Sequence, residues 1–92
     1  MSLRITLPQP VQADAFWRNR RHQAVVSKFS THEGRNTFDV RIHEMQNGRL
    51  VPTTKGVAIV VARLPDLAKS LKKAMKLAIE LGLLPPDDRA GE

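Results

Sequence analysis

The chain contains no cysteine and no tyrosine, and aromatic residues make up only 4% of its 92 positions. Without thiols there are no disulfide staples and no thiolate-rich zinc sites. Long hydrophobic runs are also missing. The longest, Val57 to Ala62, falls far short of the roughly 20 apolar residues that span a bilayer, so no membrane partner is expected. Met1 to Pro10 lacks the apolar stretch of a secretory signal, and the expected compartment is the cytosol or nucleoid. The length allows one domain and excludes a Rossmann unit or a (β/α)₈ barrel.

What the chain has is positive charge. Fifteen Lys and Arg stand against nine Asp and Glu, a net charge of +6. A surplus of this size favours polyanionic partners, nucleic acid or an acidic surface, or it serves solubility alone. The surplus lies before Pro85. The end, Pro85 to Glu92, sets Arg89 against Asp87, Asp88 and Glu92 and has no apolar periodicity, so residues 85–92 read as a flexible acidic tail. That tail is either a solvated end or an acidic mimic that shields a basic face.

Residues 1–15 read as an extended or flexible arm, because Leu3, Ile5 and Leu7 alternate like a strand but Pro8 and Pro10 stop it. Phe16-Trp17 precedes a basic knot, Arg18 to His22. Gln23 to Phe29 is valine-rich and strand-like, and Ser30 to Gly34 is turn chemistry. Arg35 to Met45 is the clearest strand: Phe38, Val40 and Ile42 alternate with Arg35, Thr37, Asp39, Arg41 and His43, one apolar face and one polar. Asn47-Gly48 predicts a type I′ hairpin turn, which needs positive φ twice. Leu50-Val51 starts a return strand. Pro52 removes a ladder donor, so that strand should bend or lie at an edge there. Val57 to Val61 reads as a fourth strand.

From Pro65 the period becomes helical. Proline suits the first turn and Asp66 suits the positive end of the helix dipole. Leu67, Leu71, Ala74, Met75, Ala78 and Leu81 recur at helical spacing, with Gly82 placed to stop the helix. Leu77 and Ile79 widen the apolar arc to roughly 200°, beyond what covering one sheet requires. A domain of this size rarely holds together on one core. Both features point to homodimerisation through this helix; the other reading is that the flank covers the chain's own sheet edge or N-terminal arm. Residues 16–84 form the expected domain.

No catalytic constellation is present, and no enzyme, metal or cofactor is expected. His22, His32 and His43 lack helical ligand spacing, and neighbours such as His43 and Glu44 point to opposite sides of an extended chain. Convergent carboxylates are missing. Asp39 is expected to pair with Arg41 or a cross-strand cation. No glycine-rich phosphate loop occurs.

Binding residues are present. Arg35, Arg41 and His43 share one strand face, and Lys55 precedes Gly56, which would let the backbone approach a phosphate. Arg20 and Arg21 adjoin Trp17, which either stacks on a base or staples the arm to the sheet; His32 offers a weak stacking surface. Cations that follow a backbone, with rings for bases, are what single-strand binding requires.

Taken together, Gly34-Arg35, Phe38-Asp39-Val40-Arg41, Pro52-Thr53-Thr54-Lys55-Gly56-Val57 and the C-terminal amphipathic helix resemble the bacterial branch of the positive cofactor four family. Its members are transcriptional coactivators that bind single-stranded DNA. The resemblance covers about residues 16–84. It implies an α+β fold, a curved four-stranded antiparallel sheet followed by one helix, that dimerises through the helices and holds single-stranded or melted DNA in a groove between sheets. It places basic contacts at Arg35, Arg41 and Lys55. The family's turn aromatic falls on His32, a neighbouring basic residue on Glu33, and a second aromatic on Glu44 or Met45, so stacking is reduced here.

The expected function is sequence-tolerant binding of single-stranded DNA, with RNA as an open alternative, by a homodimer acting in transcription regulation or in replication and repair. A second reading is an interaction module that docks on transcription machinery without touching nucleic acid, using Lys69, Lys72 and Lys76. Duplex recognition lacks a helix-turn-helix.

Overall fold

The computed structural model describes residues 5–86. Four strands, β1 (Val11–Asn19), β2 (Gln23–His32), β3 (Arg35–Gln46) and β4 (Arg49–Val60), precede a short 3₁₀ turn (Val61–Arg63) and helix α1 (Leu64–Glu80). The strands form one antiparallel sheet in the order β1-β2-β3-β4. The chain divides into two units at Val61 and Ala62, a sheet unit and a helical unit.

Two-residue turns set the central register. Glu33 (φ 51°) and Gly34 (φ 79°) join β2 to β3, and Asn47 (φ 50°) and Gly48 (φ 81°) join β3 to β4. These are the paired positive angles that the Asn-Gly step predicts. His32 therefore faces Arg35, and Gln46 faces Arg49. The first turn, Arg20 to His22, is fixed differently. His22 N–H donates to the Asn19 carbonyl (2.9 Å), and Met45 N–H donates to the His22 carbonyl (2.8 Å), which ties the turn to β3.

Two expectations need correction. The first strand is Val11–Asn19, so the boundary drawn at residue 15 falls inside β1. This strand hides from pattern reading because its ladder slips twice, between Gln12 and Asp14 and between Trp17 and Asn19, which breaks the alternation. Leu50-Val51 and Val57–Val61 are not separate strands. Leu50-Val51 and Val57–Val60 belong to one strand, β4, which runs through Pro52 as an edge strand and stays paired by bulging, and Val61 begins the 3₁₀ turn. The remaining arm is anchored: Leu7 N–H donates to Thr31 Oγ1 (2.9 Å), Thr31 Oγ1 donates to Asn36 Oδ1 (2.6 Å), and Asn36 Nδ2 donates to the Ile5 carbonyl (2.8 Å).

The two sheet faces match the alternation of β3. Phe29 and Phe38 pair across strands with ring centroids 5.2 Å apart, on the side that carries Val40, Ile42, Val57 and Ile59. None of these six apolar side chains is buried, and Val57 is 55% exposed. The buried hydrophobic residues, Ala24 and Val26, sit on the opposite, polar side, beside buried Asp39 and His43.

Helix α1 has Pro65 in its first turn, as its sequence predicts, and an exposed Arg63–Asp66 ion pair (3.0 Å). At the other end Gly82 (φ 79°) donates to the Ile79 carbonyl (3.1 Å) and Leu83 N–H donates to the Ala78 carbonyl (2.8 Å). That pair of bonds is a Schellman cap, closed by the glycine that can adopt a left-handed angle without strain. No residue of α1 is buried, and Leu71, Met75 and Leu77 are exposed, as is Leu81 at the helix cap. The acidic residues of the expected tail, Asp87, Asp88 and Glu92, lie outside the described residues.

Candidate nucleic-acid interface

The polar sheet face is built in cross-strand rows, because directly paired residues in an antiparallel ladder share a side. His32 and Arg35 form the row at the turn end, both exposed. Next come Ser30 with Thr37, whose hydroxyls lie 3.2 Å apart, then Lys28, Asp39 and Ala58, then Val26, Arg41 and Gly56. Trp17, Ala24, His43 and Pro52 make the last row before the other end of the sheet, where the Arg20-Arg21 turn lies. β2 spans ten residues, so this face runs for about 30 Å along the strands. The candidate cations are thus spread over its length, at both ends and in the middle.

A recess of about 340 Å³ opens on the middle rows, lined by Lys28, Ser30, His32, Asp39, Arg41 and Pro52 among others. A second, mostly apolar recess of about 180 Å³ lies between Ala15, Trp17, Ala24 and Leu50. Trp17 is 45% exposed there, which leaves its ring free for contact.

Arg41 is the most constrained cation. Its Nη2 donates to Asp39 Oδ1 (2.9 Å), its Nε to Asp39 Oδ2 (3.2 Å) and its Nη1 to the Thr53 carbonyl (3.0 Å). The Asp39 hydrogen bonds hold the guanidinium above its ordinary range, against a smaller opposing effect of desolvation. Asp39 therefore pairs with Arg41, as the alternation predicts. By contrast Arg20, Arg21, Arg35 and Lys55 are exposed, and none of them makes an ion pair among the described residues.

Gly56 has a reason internal to the sheet. A Cβ there would lie 2.6 Å from the Val40 carbonyl oxygen and 2.8 Å from Arg41 Cα. The β4 backbone presses onto β3 so closely that no side chain fits between them. His43 sits beneath the surface, 9% exposed, with its Nδ1 lacking a hydrogen-bond partner. Lys28 escaped the sequence reading. Its place was recoverable: once Glu33-Gly34 is the turn, His32 faces Arg35, and counting back sets Lys28 opposite Asp39. No group of three or more metal-ligating side chains occurs among the described residues, and no helix among them is long and apolar enough to cross a membrane.

No family model matches the sequence, and no curated protein matches it. Solved structures do. The tetragonal crystal form of BPSL1147, a PC4 homologue from Burkholderia pseudomallei, superposes with a TM-score of 0.67 at 22% identity, over 73% of this chain and 98% of that one. The orthorhombic form gives 0.68 at 21% identity, over 77% and 96%. The fold is shared with a bacterial PC4 homologue. The positive cofactor four resemblance read from Asp39, Arg41, Lys55-Gly56 and the terminal helix thus agrees with the three-dimensional comparison, in element order and in sheet layout.

Proposed function

We propose that this chain binds single-stranded DNA with little sequence preference, through the polar face of its sheet. The observation that carries the reading is the set of cations at that face: Lys28 and Arg35 lie on it by register, exposed Trp17 shares it, and the exposed Arg20-Arg21 turn and Lys55 bulge adjoin it. Its similarity to a PC4 homologue supports it. Cations neutralise the phosphates, and Trp17 with His32 provides limited stacking, a combination that tolerates any base because every base has a π-face. Base-edge readout has no dedicated element here, since the apparatus is one open sheet face. The chain acts on DNA in the cytoplasm, at the nucleoid, in transcription regulation or in replication and repair.

We propose further that the working form is a homodimer joined through α1, whose Leu67, Leu71, Ala74, Met75 and Ala78, with Leu81 at its cap, carry the apolar arc. The exposure of Leu71, Met75 and Leu81 supports this, because a contiguous apolar surface on a soluble chain marks an interaction site. The test is fluorescence anisotropy of labelled single-stranded DNA, with RNA and duplex as competitors, from low to high salt. Affinity for the single strand falls steeply with salt, since each neutralised phosphate releases counterions. Binding only to duplex, or none, contradicts the proposal, and none would favour docking on the transcription machinery instead.

A further inference from the structure

Resting on the single-strand reading, we infer that Arg41 is a positioning residue: paired with Asp39, it shapes the β4 bulge that presents Lys55, and it does not itself neutralise a phosphate. The argument starts from the ladder. β3 and β4 pair at His43 with Pro52 and again at Arg41 with Gly56. Between those pairs β3 has only Ile42, whereas β4 has Thr53, Thr54 and Lys55. The surplus residues must leave the sheet plane, and a bulge of this kind re-aims the side chains it carries.

Three contacts give the bulge one shape. The Arg41 guanidinium holds the Thr53 carbonyl at 3.0 Å. Thr53 Oγ1 donates to the Ile42 carbonyl at 2.7 Å and accepts from the Lys55 N–H at 3.2 Å. Gly56 then closes the loop by letting β4 drop onto the Arg41 backbone. Arg41 can reach Thr53 only while its own side chain is fixed, and Asp39 fixes it with both carboxylate oxygens. The pair is sheltered, with side-chain exposures of 25% and 12%. Its net charge is zero, so it offers a phosphate a local dipole in place of a full positive charge. Lys55, exposed at the end of the bulge, and Lys28, beside Asp39 in the neighbouring row, carry uncompensated charge.

The charge of Asp39 makes the two roles of Arg41 separable. If Arg41 contacts phosphate, removing the carboxylate frees a cation, so Asp39→Asn tightens binding and steepens its salt dependence. If Arg41 is a brace, the same substitution loosens the Thr53–Lys55 geometry and weakens binding. We expect Asp39→Asn to bind a labelled oligothymidylate about tenfold more weakly, the scale of one lost charge-assisted hydrogen bond, even though the substitution leaves the face one charge more positive. Arg41→Lys, which keeps the charge but loses the planar fork, is expected to weaken binding similarly at unchanged slope. Circular dichroism and thermal melting establish that each variant is folded, and either variant suffices if the other is not. Tighter binding by Asp39→Asn with a steeper slope, or undiminished affinity in Arg41→Lys, overturns this inference and leaves single-strand binding standing. An unsubstituted chain that binds no oligothymidylate overturns the functional reading, and this inference with it.

Discussion

The two faces of the sheet solve opposite problems. The polar face is largely finished within one chain: it holds the buried hydrophobic residues, Ala24 and Val26, and its buried carboxylate is paired, while His43 Nδ1 is its one buried polar side-chain atom without a partner among the described residues. The apolar face is unfinished, for Phe29, Phe38, Val40 and Ile42 all stay partly accessible. Hydrogen bonds and ion pairs have fixed partners at fixed distances, so a single sheet can complete them by itself. Apolar area has no such local partner and needs a second layer. The more complete face is the one proposed to meet nucleic acid, and its Asp39–Arg41 pair is set within the chain.

That contrast can be broken from either side. The largest expected effect is on assembly. Leu71→Asp combined with Met75→Asp places two charges in the apolar arc of α1, and sedimentation equilibrium should then return the monomer mass of 10.3 kDa in place of a dimer. A variant that keeps the dimer mass sinks the helix-mediated interface. Gly56→Ala is next. Its methyl group would press on the Val40 carbonyl and the Arg41 backbone, so thermal unfolding should show a loss of about 1–3 kcal/mol, the usual range for overpacking. An unchanged melting temperature would mean that β4 can move off β3 freely. The smaller effect belongs to Trp17→Ala, which decides between the two roles open to that ring. As a stacking platform it costs about 1–3 kcal/mol of affinity per base lost, with the salt slope unaltered. As a staple of the arm it lowers the melting temperature and leaves affinity in place.

Much of the fold was legible, for reasons that can be named. The alternation in β3, the Asn47-Gly48 turn and the stop at Gly82 are local signals, and each is realised where it was read. Pro52 predicted an edge or a bend, and β4 has both, since it is an edge strand that bulges directly after the proline. The unread parts depend on pairing. β1 is fully exposed and twice irregular, so nothing in its own sequence alternates cleanly. β4 looked like two pieces because the bulge residues Thr53 to Lys55 carry no strand pattern, and only the ladder on either side shows that the strand continues.

The candidate site divides the same way. The Asp39–Arg41 pairing follows from spacing on one strand, and the structure contains it. Lys28 required the β2–β3 register. That Arg41 also reaches Thr53 required the bulge, which no spacing rule gives. The burial of His43 was likewise invisible, because its shelter comes from the neighbouring strands at Ala24 and Pro52.

The most direct test of the polar face as a phosphate-binding surface is the salt dependence of single-strand affinity in the double variant Lys28→Ala/Lys55→Ala, measured against the unsubstituted chain. Two lost phosphate contacts should flatten the slope of log Kd against log salt by about 1.4, at roughly 0.7 per contact on a single strand, with melting unchanged. Identical slopes in the two proteins would contradict the account and place the phosphates elsewhere.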